Sequence, residues 1–148
     1  MSVEIRPVET KADRKKFLDF PYRLYADKPI WIAPLRFERA QHIDPKHNPF
    51  FEHAEVQLFL AYREGRIVGR ISAHIDDNLN EFQDNTWGLF GFFECEDDAE
   101  AATALIDAAA QWNLERGRDR MVGPMSFSTN DECGLLIEGY ELTPIILT

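Results

Sequence analysis

The feature that most constrains the fold is a pair of apolar runs, at 56–62 and 67–75, separated by only four residues. Runs of this length that are rich in Val, Ile, Leu and Phe are typical of β-strands. Gly65 lies in the separating segment and tolerates the positive φ that a tight turn needs. The two runs therefore predict a β-hairpin.

A strand and a capped helix are predicted before the hairpin. Residues 3–8 alternate between apolar and charged side chains and predict a short first strand. Thr10, with Asp13 three residues later, has the spacing of a helix cap and predicts a helix over 10–25. Pro21 should end or kink this helix, because proline has no N–H to donate.

The segment 26–52 is long, irregular and interrupted by prolines. A loop of this length is usually either functional or packed on the core. We expect it to cover the core, because Trp31, Phe50 and Phe51 are too apolar to face water, and we expect a short helix near 35–42.

The second half of the chain predicts further strands around one long helix. Gly88 and Gly91 interrupt an apolar strand at 86–93 and indicate a bulge or a close backbone approach. A helix opens at Asp97, with Glu100 at capping-box spacing, and Gly117 suits the position just after its end. The remaining predictions are a polar turn at 76–85, strands at 119–125 and 144–147, and a loop or short helix at 130–139.

The charge of the chain is unevenly distributed. Its 148 residues suit one domain, and the net charge of −10 divides into +3 for residues 1–74 and −13 for residues 75–148. An acidic half repels phosphate, so we expect no nucleic-acid partner. The same charge either attracts a cationic amine substrate or simply keeps the surface solvated.

We expect a cytoplasmic protein that binds no membrane and no metal. The N-terminal residues hold no apolar run typical of a secretion signal, and no apolar stretch approaches the roughly 20 residues of a membrane span. Cys95 and Cys133 lie far apart and belong to no CxxC pair, so reduced thiols are expected. The four histidines show no spacing typical of metal ligands.

The order of these elements resembles the core of the GNAT superfamily, the N-acetyltransferase-like proteins. In that family the second and third strands meet at a turn like the one at 63–66, with a glycine where Gly69 stands. The resemblance implies an α/β (α+β) fold in which helices flank a mixed, mainly antiparallel central sheet.

The chain also resembles a bacterial group of two-domain GNAT-like proteins over nearly its whole length. The segments that carry this resemblance are 27–36, 48–55, 91–95 and 123–125 with 130–136. Proteins of this group continue into a second domain, whereas this chain stops at Thr148 within an apolar run. We therefore expect residues 1–148 to be a single GNAT-like domain, an N-terminal fragment that packs against a second GNAT-like domain or a homo-oligomer partner.

The resemblance implies acetyl-CoA or another acyl-CoA as co-substrate, held at the fourth strand and the helix that follows. Phe92, Phe93 and Glu94 stand at the positions that would contact the pantetheine arm. The family's loop before the helix is rich in glycine, which lets backbone N–H groups approach the diphosphate.

The loop of this chain departs from that pattern. Segment 94–100 contains neither glycine nor arginine, and four of its residues are acidic between Glu96 and Glu100. We expect Asp97 or Asp98 to occupy the helix N–H groups as a cap and the acids to repel the diphosphate. The coenzyme site is therefore expected to be degenerate.

Catalytic candidates follow the last internal strand. In an N-acyltransferase, Glu132 would be the base that deprotonates the amine, oriented by Asn130, and Tyr140 would reprotonate the thiolate. The alternative for this cluster is a helix start capped by Ser128 or Asn130, and the alternative for Tyr140 is a place in the core. Cys133 is a further candidate, as a nucleophile.

Basic residues of the hairpin have weaker functional interpretations. His74 is expected at the surface or in a strand pair. Arg63, Arg66 and Arg70 either contact phosphate or form a solvated face.

Two functions from different classes are consistent with the sequence. The first is an N-acyltransferase domain that moves an acyl group from acyl-CoA to an amine. The second is a non-catalytic GNAT-like domain that docks against a catalytic partner domain, which the atypical loop favours. A sensor that binds a small molecule in the same cleft is a third.

Overall fold

The two apolar runs form the centre of a five-stranded sheet. The computed structural model describes residues 2–143, in which the strands lie in the order β1-β2-β3-β4-β5. Neighbouring strands are antiparallel except for β5, which is parallel to β4. This mixed, mainly antiparallel sheet confirms the predicted fold class. The strands are β1 Glu4–Pro7, β2 Ala54–Arg63, β3 Arg66–Asp76, β4 Trp87–Cys95 and β5 Arg120–Val122.

The hairpin turn forms as predicted. Glu64 and Gly65 join β2 to β3, and both have positive φ, at 53° and 77°. Two left-handed residues give a turn whose twist matches that of the flanking strands. The strands extend further than the apolar runs, so the hairpin is the longest paired unit of the sheet.

Helices cover both faces of the sheet. The first is capped as predicted: Thr10 Oγ1 accepts the backbone N–H of Asp13, and the Asp13 side chain accepts that of Thr10. Of the two effects predicted for Pro21, an end of the helix or a kink, the end is wrong, because the helix continues for three more residues. The helices are α1 Lys11–Leu24, α2 Arg36–His42, α3 Asp77–Gln83 and α4 Ala99–Glu115.

Two sequence predictions on helices and loops need correction. Segment 76–85 is not a simple turn, because the Asp76 carboxylate accepts the backbone N–H of Asn78 at 3.0 Å and starts α3. The long helix is capped by Asp98 and not by Asp97, since Asp98 accepts the N–H of Ala101 at 3.0 Å. For segment 130–139 the loop is confirmed and the short helix is not, since the segment has turns and no helix. The strand predicted at 144–147 lies outside the described residues.

Two apolar clusters hold the helices on the sheet. One packs α4 through Leu105 and Trp112 against the side of β3 that carries Ile71. The other lies on the opposite face, around Phe17 of α1 and Phe127. The prediction that segment 26–52 covers the core is confirmed for Phe50 and Phe51, whereas Phe37 of the same segment is 62% exposed. Phe50 stacks on Phe127 with centroids 4.8 Å apart, Phe51 meets the same ring at 5.4 Å, and Trp31 packs on Tyr22 and Tyr25.

No helix formed by residues 2–143 combines the length and the apolar character needed to cross a bilayer. Both cysteines are free thiols, with Cys95 partly buried and Cys133 exposed.

Of the two expectations for His74, the place in a strand pair is confirmed, since it lies between Val56 and Leu89 in the sheet. The place at the surface is wrong, because its side chain is completely buried. Its ring meets Phe50 and Phe127 nearly at right angles, with centroids 6.0 and 5.4 Å away, and Nδ1 lies 3.3 Å from Ser72 Oγ. Burial lowers the pKa of His74 to about 3. The folded protein therefore holds a neutral imidazole at every ordinary pH.

We predict that His74 makes the protein less stable as the pH falls. In the unfolded chain His74 has a pKa of about 6.5 and takes up a proton below that pH, whereas the folded side chain stays neutral. The contribution of neutral His74 to the stability of the fold is therefore complete above pH 6.5 and declines below it. Lowering the pH from about 7.5 to 5 should, through His74, reduce the free energy of unfolding by about 2 kcal/mol. Urea denaturation at both pH values, with His74→Gln as the variant that cannot titrate, checks this. An equal loss in both proteins would contradict it.

Candidate active site

A cleft opens where β4 and β5 separate. The parallel pairing of these strands ends at Leu89 and Val122. The chain that follows β5 then crosses β4, and there the N–H of Met125 donates to Phe90 O at 2.8 Å. We call the opening beyond this point the β4 cleft, and its volume is about 100 Å³. Its lining residues are Arg70, Phe92, Phe93, Glu94, Pro124, Ser126, Glu132, Gly134 and Leu135.

The backbone of β4 is irregular at the cleft. The register between β3 and β4 shifts between Arg70 and Ser72, and Phe92 has a positive φ of 51°. Gly91 makes the shape possible, because a Cβ there would stand 2.0 Å from Met125 O. The close backbone approach predicted at this glycine is confirmed. Because Phe92 lies in a bulge, its N–H leaves the regular ladder and donates to Ser126 Oγ at 3.3 Å.

Glu94 is a half-buried carboxylate inside the cleft. It stands opposite Arg70 across the β3–β4 pair and accepts the hydroxyl proton of Tyr25, which follows the last turn of α1. Burial raises the pKa of Glu94, against the lowering effects of Tyr25 and Arg70. Burial and the nearby Glu94 also raise the pKa of Tyr25, so its phenol stays protonated. The pair is a hydrogen-bonded acid and base in a water-poor site.

Arg70 brings a buried positive charge to the cleft. Its Nη1 donates at 2.8 Å to Phe17 O, the helix carbonyl that Pro21 leaves without its usual N–H donor. The guanidinium carbon lies 4.6 Å from the Phe17 ring centroid and 5.7 Å from that of Phe92. Burial lowers the pKa of Arg70 to about 10, which still leaves it a cation at neutral pH.

The loop after β5 is fastened to α2 beside the cleft. Arg39 pairs with the Glu132 carboxylate, and His42 Nε2 lies 3.4 Å from Asp131 Oδ1 one helical turn later. The N–H of Ser126 also donates to Glu132 O at 2.8 Å. Burial lowers the pKa of His42, although Asp131 acts in the opposite direction.

The structure brings together four of the six residues singled out from the sequence. Phe92, Phe93, Glu94 and Glu132 all line the β4 cleft. Asn130 does not line it: its N–H donates to Ser128 Oγ at 3.2 Å, in a turn and not in the helix start considered from the sequence.

Tyr140 also lies apart from the cleft lining. The alternative that it is a core residue is wrong, because 63% of its surface is exposed and its hydroxyl donates to Leu136 O at 3.1 Å.

Sequence reasoning missed Tyr25 and the burial of Arg70. A charged residue inside the apolar run 67–75 is the signal for Arg70, and a helix proline that leaves a carbonyl free is the signal for its partner. Tyr25 has no such signal, since its partner Glu94 lies 69 residues away. Within residues 2–143 no group of three or more His, Cys, Asp or Glu side chains is placed to hold a metal ion.

The N-terminus of α4 is already occupied by the protein's own carboxylates. Asp98 caps the helix and also accepts Arg63 Nε at 2.8 Å, while Arg66 pairs with Glu96. The prediction of an aspartate on these N–H groups is confirmed. The carboxylates of this loop do not form an uncompensated negative patch, however, because Arg63 and Arg66 of the hairpin pair with them.

Comparison with known proteins shows which solved structures share this architecture. No family model matches the chain. Similar solved structures include a tandem GNAT protein from the clavulanic acid biosynthesis pathway, with a TM-score of 0.60 over 79% of this chain and 34% of that one. A predicted acetyltransferase from Clostridium acetobutylicum, solved with acetyl-CoA, has a TM-score of 0.59 over 81% of this chain and 79% of that one. Both are 15% identical to it.

This chain has the GNAT fold. Two curated relatives are much closer in sequence than these GNAT structures. The bacterial ceramide synthase of Caulobacter vibrioides is 47% identical over 98% of the chain, and Protein YghO of Escherichia coli is 41% identical over 95% of it. The chain spans only 38% and 36% of the lengths of these relatives.

We predict that the cap on α4 is specific to Asp98. Asp98→Ala should lower the urea midpoint of unfolding, because the N–H of Ala101 loses its acceptor and Arg63 loses a carboxylate. The matched change Asp97→Ala removes the same charge from an exposed neighbour. It should leave the midpoint nearly unchanged, and equal effects of the two changes would show that Asp98 is not the cap.

Proposed function

We propose that this chain is an N-acyltransferase domain that transfers an acyl group from acyl-CoA to an amine. The observation that carries the proposal is the β4 cleft, where a bulged strand and the half-buried Glu94 lie side by side. The GNAT fold, shared with acetyltransferases, supports acyl transfer as the general chemistry. Glu132 adds a second carboxylate at the same opening.

The name of one relative supports a lipid amine as acceptor. Ceramide is an amide of a long-chain amine, and the relative called a ceramide synthase is 47% identical to this chain. Leu135 lines the cleft, and Leu136 and Ile137 follow it with 65% and 79% of their surface exposed. These side chains suit contact with a hydrocarbon tail that extends out of the cleft.

We assign the role of base to Glu94 within this proposal. A primary amine has a pKa of about 10, so it must lose a proton before its nitrogen can attack. A carboxylate whose pKa is raised by burial accepts that proton more readily than an ordinary one. Tyr25 is a positioning residue, because its hydroxyl holds the carboxylate in place.

Glu132, the base predicted from the sequence, is in a different environment. Arg39 already engages its charge, and 56% of its side chain is exposed. In our proposal it draws the ammonium ion to the opening, before the proton passes to Glu94. Asn130, predicted to orient Glu132, and Tyr140, predicted to reprotonate the thiolate, do not line the cleft and have no part in the step proposed here. Paired variants separate the two glutamates.

The transfer itself needs few groups. The amine nitrogen attacks the thioester carbonyl carbon, a C–N bond forms, and the C–S bond breaks. The nitrogen loses two protons on the way from ammonium to amide: Glu94 takes the first before the attack and releases it to solvent, and the second, lost once the C–N bond has formed, passes to the departing thiolate. The backbone of β4 beside Phe92 and at Phe93 would hold the thioester arm, since β5 pairs with β4 only as far as Leu89, although the N–H of Phe92 itself is taken by Ser126 Oγ.

The residues present fit the thioester arm of the coenzyme better than its diphosphate. The N–H of Ala101, at the helix start where a GNAT enzyme receives the diphosphate, is taken by Asp98. A diphosphate at this position therefore takes no part in the proposed step. A neutralised cluster of hairpin arginines and loop acids stands there instead.

The occupied helix start also favours a second function. In this alternative the chain is a non-catalytic GNAT-like domain that docks against a second GNAT-like domain carrying the activity. The chain spans little more than a third of each curated relative, and one similar solved structure is a tandem GNAT protein. The exposed residues Leu136, Ile137 and Leu142 offer an apolar surface for such docking.

We predict that Glu94→Gln reduces turnover of acyl-CoA with a long-chain amine by about 100-fold or more, because the amide cannot accept the proton. Glu132→Gln, the matched change at the rim, should reduce kcat less than tenfold and act mainly on KM. A thiol-release assay on the chain and both variants checks this.

Three outcomes of that assay can be told apart. A larger loss of kcat in Glu132→Gln would return the role of base to that residue. Equal small losses would remove both glutamates from the chemistry. No turnover in the unchanged chain, with the fold intact, would contradict the transferase proposal and favour the docking domain.

A further inference from the structure

The guanidinium of Arg70 is buried at the β4 cleft and has hydrogen-bond donors that the fold does not use. Only 9% of the residue's surface is exposed, and the side chain lines the cleft. Nη1 donates to Phe17 O, whereas Nε has no hydrogen-bond partner among residues 2–143. Nη2 makes no hydrogen bond within the same described part of the chain. Because a guanidinium is a planar fork of N–H donors, Arg70 can donate to an oxygen that enters the cleft.

The positive charge of Arg70 is not paired within the part of the chain that the structure describes. No carboxylate of residues 2–143 lies within ion-pair distance of the guanidinium, and Glu94, its partner across the strands, is hydrogen-bonded to Tyr25. Support of the Phe17 carbonyl needs a single N–H, which a neutral amide side chain would also provide. A buried cation without a partner is costly. The fold therefore carries a charge that the support of α1 does not require.

An unpaired cation suits a reaction in which negative charge appears only in the transition state. A preorganised cation in a water-poor site stabilises such a charge strongly, whereas a cation that a carboxylate already neutralises does so much less. When an amine attacks a thioester, the negative charge develops on the carbonyl oxygen. That oxygen is present in the reaction whatever the acceptor amine is.

The positions of Arg70 and Glu94 match the two ends of the reacting group. They are direct partners in the β3–β4 pairing, and both side chains line the cleft. Side chains of such partners start about 5 Å apart on the same face of a sheet. The attacking nitrogen and the carbonyl oxygen are bonded to the same carbon, so the nitrogen can face the carboxylate while the oxygen faces the guanidinium. The reverse orientation would bring the ammonium ion against a cation, which repels it.

The bulged main chain of β4 offers fewer donors to that oxygen. The N–H of Phe92 donates to Ser126 Oγ at 3.3 Å and is not available to a ligand. The guanidinium carbon of Arg70 lies 5.7 Å from the centroid of the Phe92 ring, so its donors stand beside the bulge. The side chain of Arg70 therefore supplies a donor where the backbone N–H is occupied.

We propose that Arg70 is a catalytic residue that binds the thioester carbonyl oxygen and stabilises the negative charge that forms on it. As the C–N bond forms, the π electrons of the C=O bond move onto the oxygen, which accepts an N–H from Nη2. The C=O bond then re-forms, and the electrons of the C–S bond leave with the sulfur. While Glu94 holds the first proton of the ammonium ion it is neutral, so it does not oppose the charge of Arg70. The inference rests on the proposed function and adds a residue to its transfer step.

Two ligands that differ by one oxygen test this contact in the unchanged chain and without turnover. One is a long-chain acyl-pantetheine, isotope-labelled at its carbonyl carbon, and the other is the S-alkyl thioether of equal length, in which CH₂ replaces the carbonyl. The side-chain nitrogen resonances of Arg70 should shift with the thioester and not with the thioether. The infrared band of the bound carbonyl should move to lower frequency than in buffer. Equal shifts with both ligands, or none with the thioester at saturation, would overturn the proposal.

Two substitutions separate the charge of Arg70 from its support of α1. Arg70→Gln keeps an amide that can donate to Phe17 O but removes the charge, whereas Arg70→Lys keeps the charge without the fork. In the thiol-release assay, Arg70→Gln should lower kcat by about 100- to 1,000-fold and change KM little, as expected when a donor to a developing oxyanion is lost. Arg70→Lys should lower kcat less. A purely structural role predicts the opposite order, and a folded Arg70→Gln with unchanged kcat would overturn the proposal.

The ligand comparison uses the unchanged chain, so it decides the question even where the variants do not fold. It also separates this inference from the proposed function. A thioester that contacts Arg70 through its carbonyl but transfers no acyl group to an amine would contradict the transferase and support the contact. Acyl transfer at an unchanged kcat in Arg70→Gln would support the transferase and contradict the role of Arg70.

Discussion

The hydrogen bond from the buried guanidinium of Arg70 to the carbonyl of Phe17 connects the parts of the molecule on which the site depends. It exists because Pro21 leaves that carbonyl without its helical donor. It fastens α1 to the middle of β3, and α1 in turn places Tyr25 against Glu94 on the neighbouring strand. The position of Glu94 relative to α1 and the sheet therefore depends on the guanidinium of Arg70.

Local signals in the sequence predicted the parts of the fold that depend on local physics. The hairpin followed from two apolar runs around Gly65, and α1 followed from the reciprocal capping of Thr10 and Asp13. Long-range packing decided what was missed. The sequence of β3 suggests a strand with one exposed face, on which His74 would lie. Segment 26–52 instead folds back over this face and buries His74 under Phe50. The polar segment after Asp76 forms a helix because that carboxylate caps it.

The lining of the cleft was predictable where neighbours in sequence are neighbours in space. Phe92, Phe93 and Glu94 are consecutive on β4, and Glu132 reaches the same cleft because the chain crosses β4 at Gly91. Tyr25 was not predictable, since its role depends on how α1 sits on the sheet. The raised pKa of Glu94 was also hidden from the sequence, because it results from burial in the folded chain.

The central claim is that an acyl thioester and an amine meet in the β4 cleft. A crystal structure of this chain with a bisubstrate analogue, in which the amine is joined to the pantetheine thiol through a stable linker, tests it most directly. The account predicts density along β4 at Phe92 and Phe93, with the amine nitrogen within hydrogen-bond distance of Glu94 and Asp98 still capping α4. An analogue bound away from this cleft, or one whose diphosphate displaces Asp98 from the amides of α4, would contradict it.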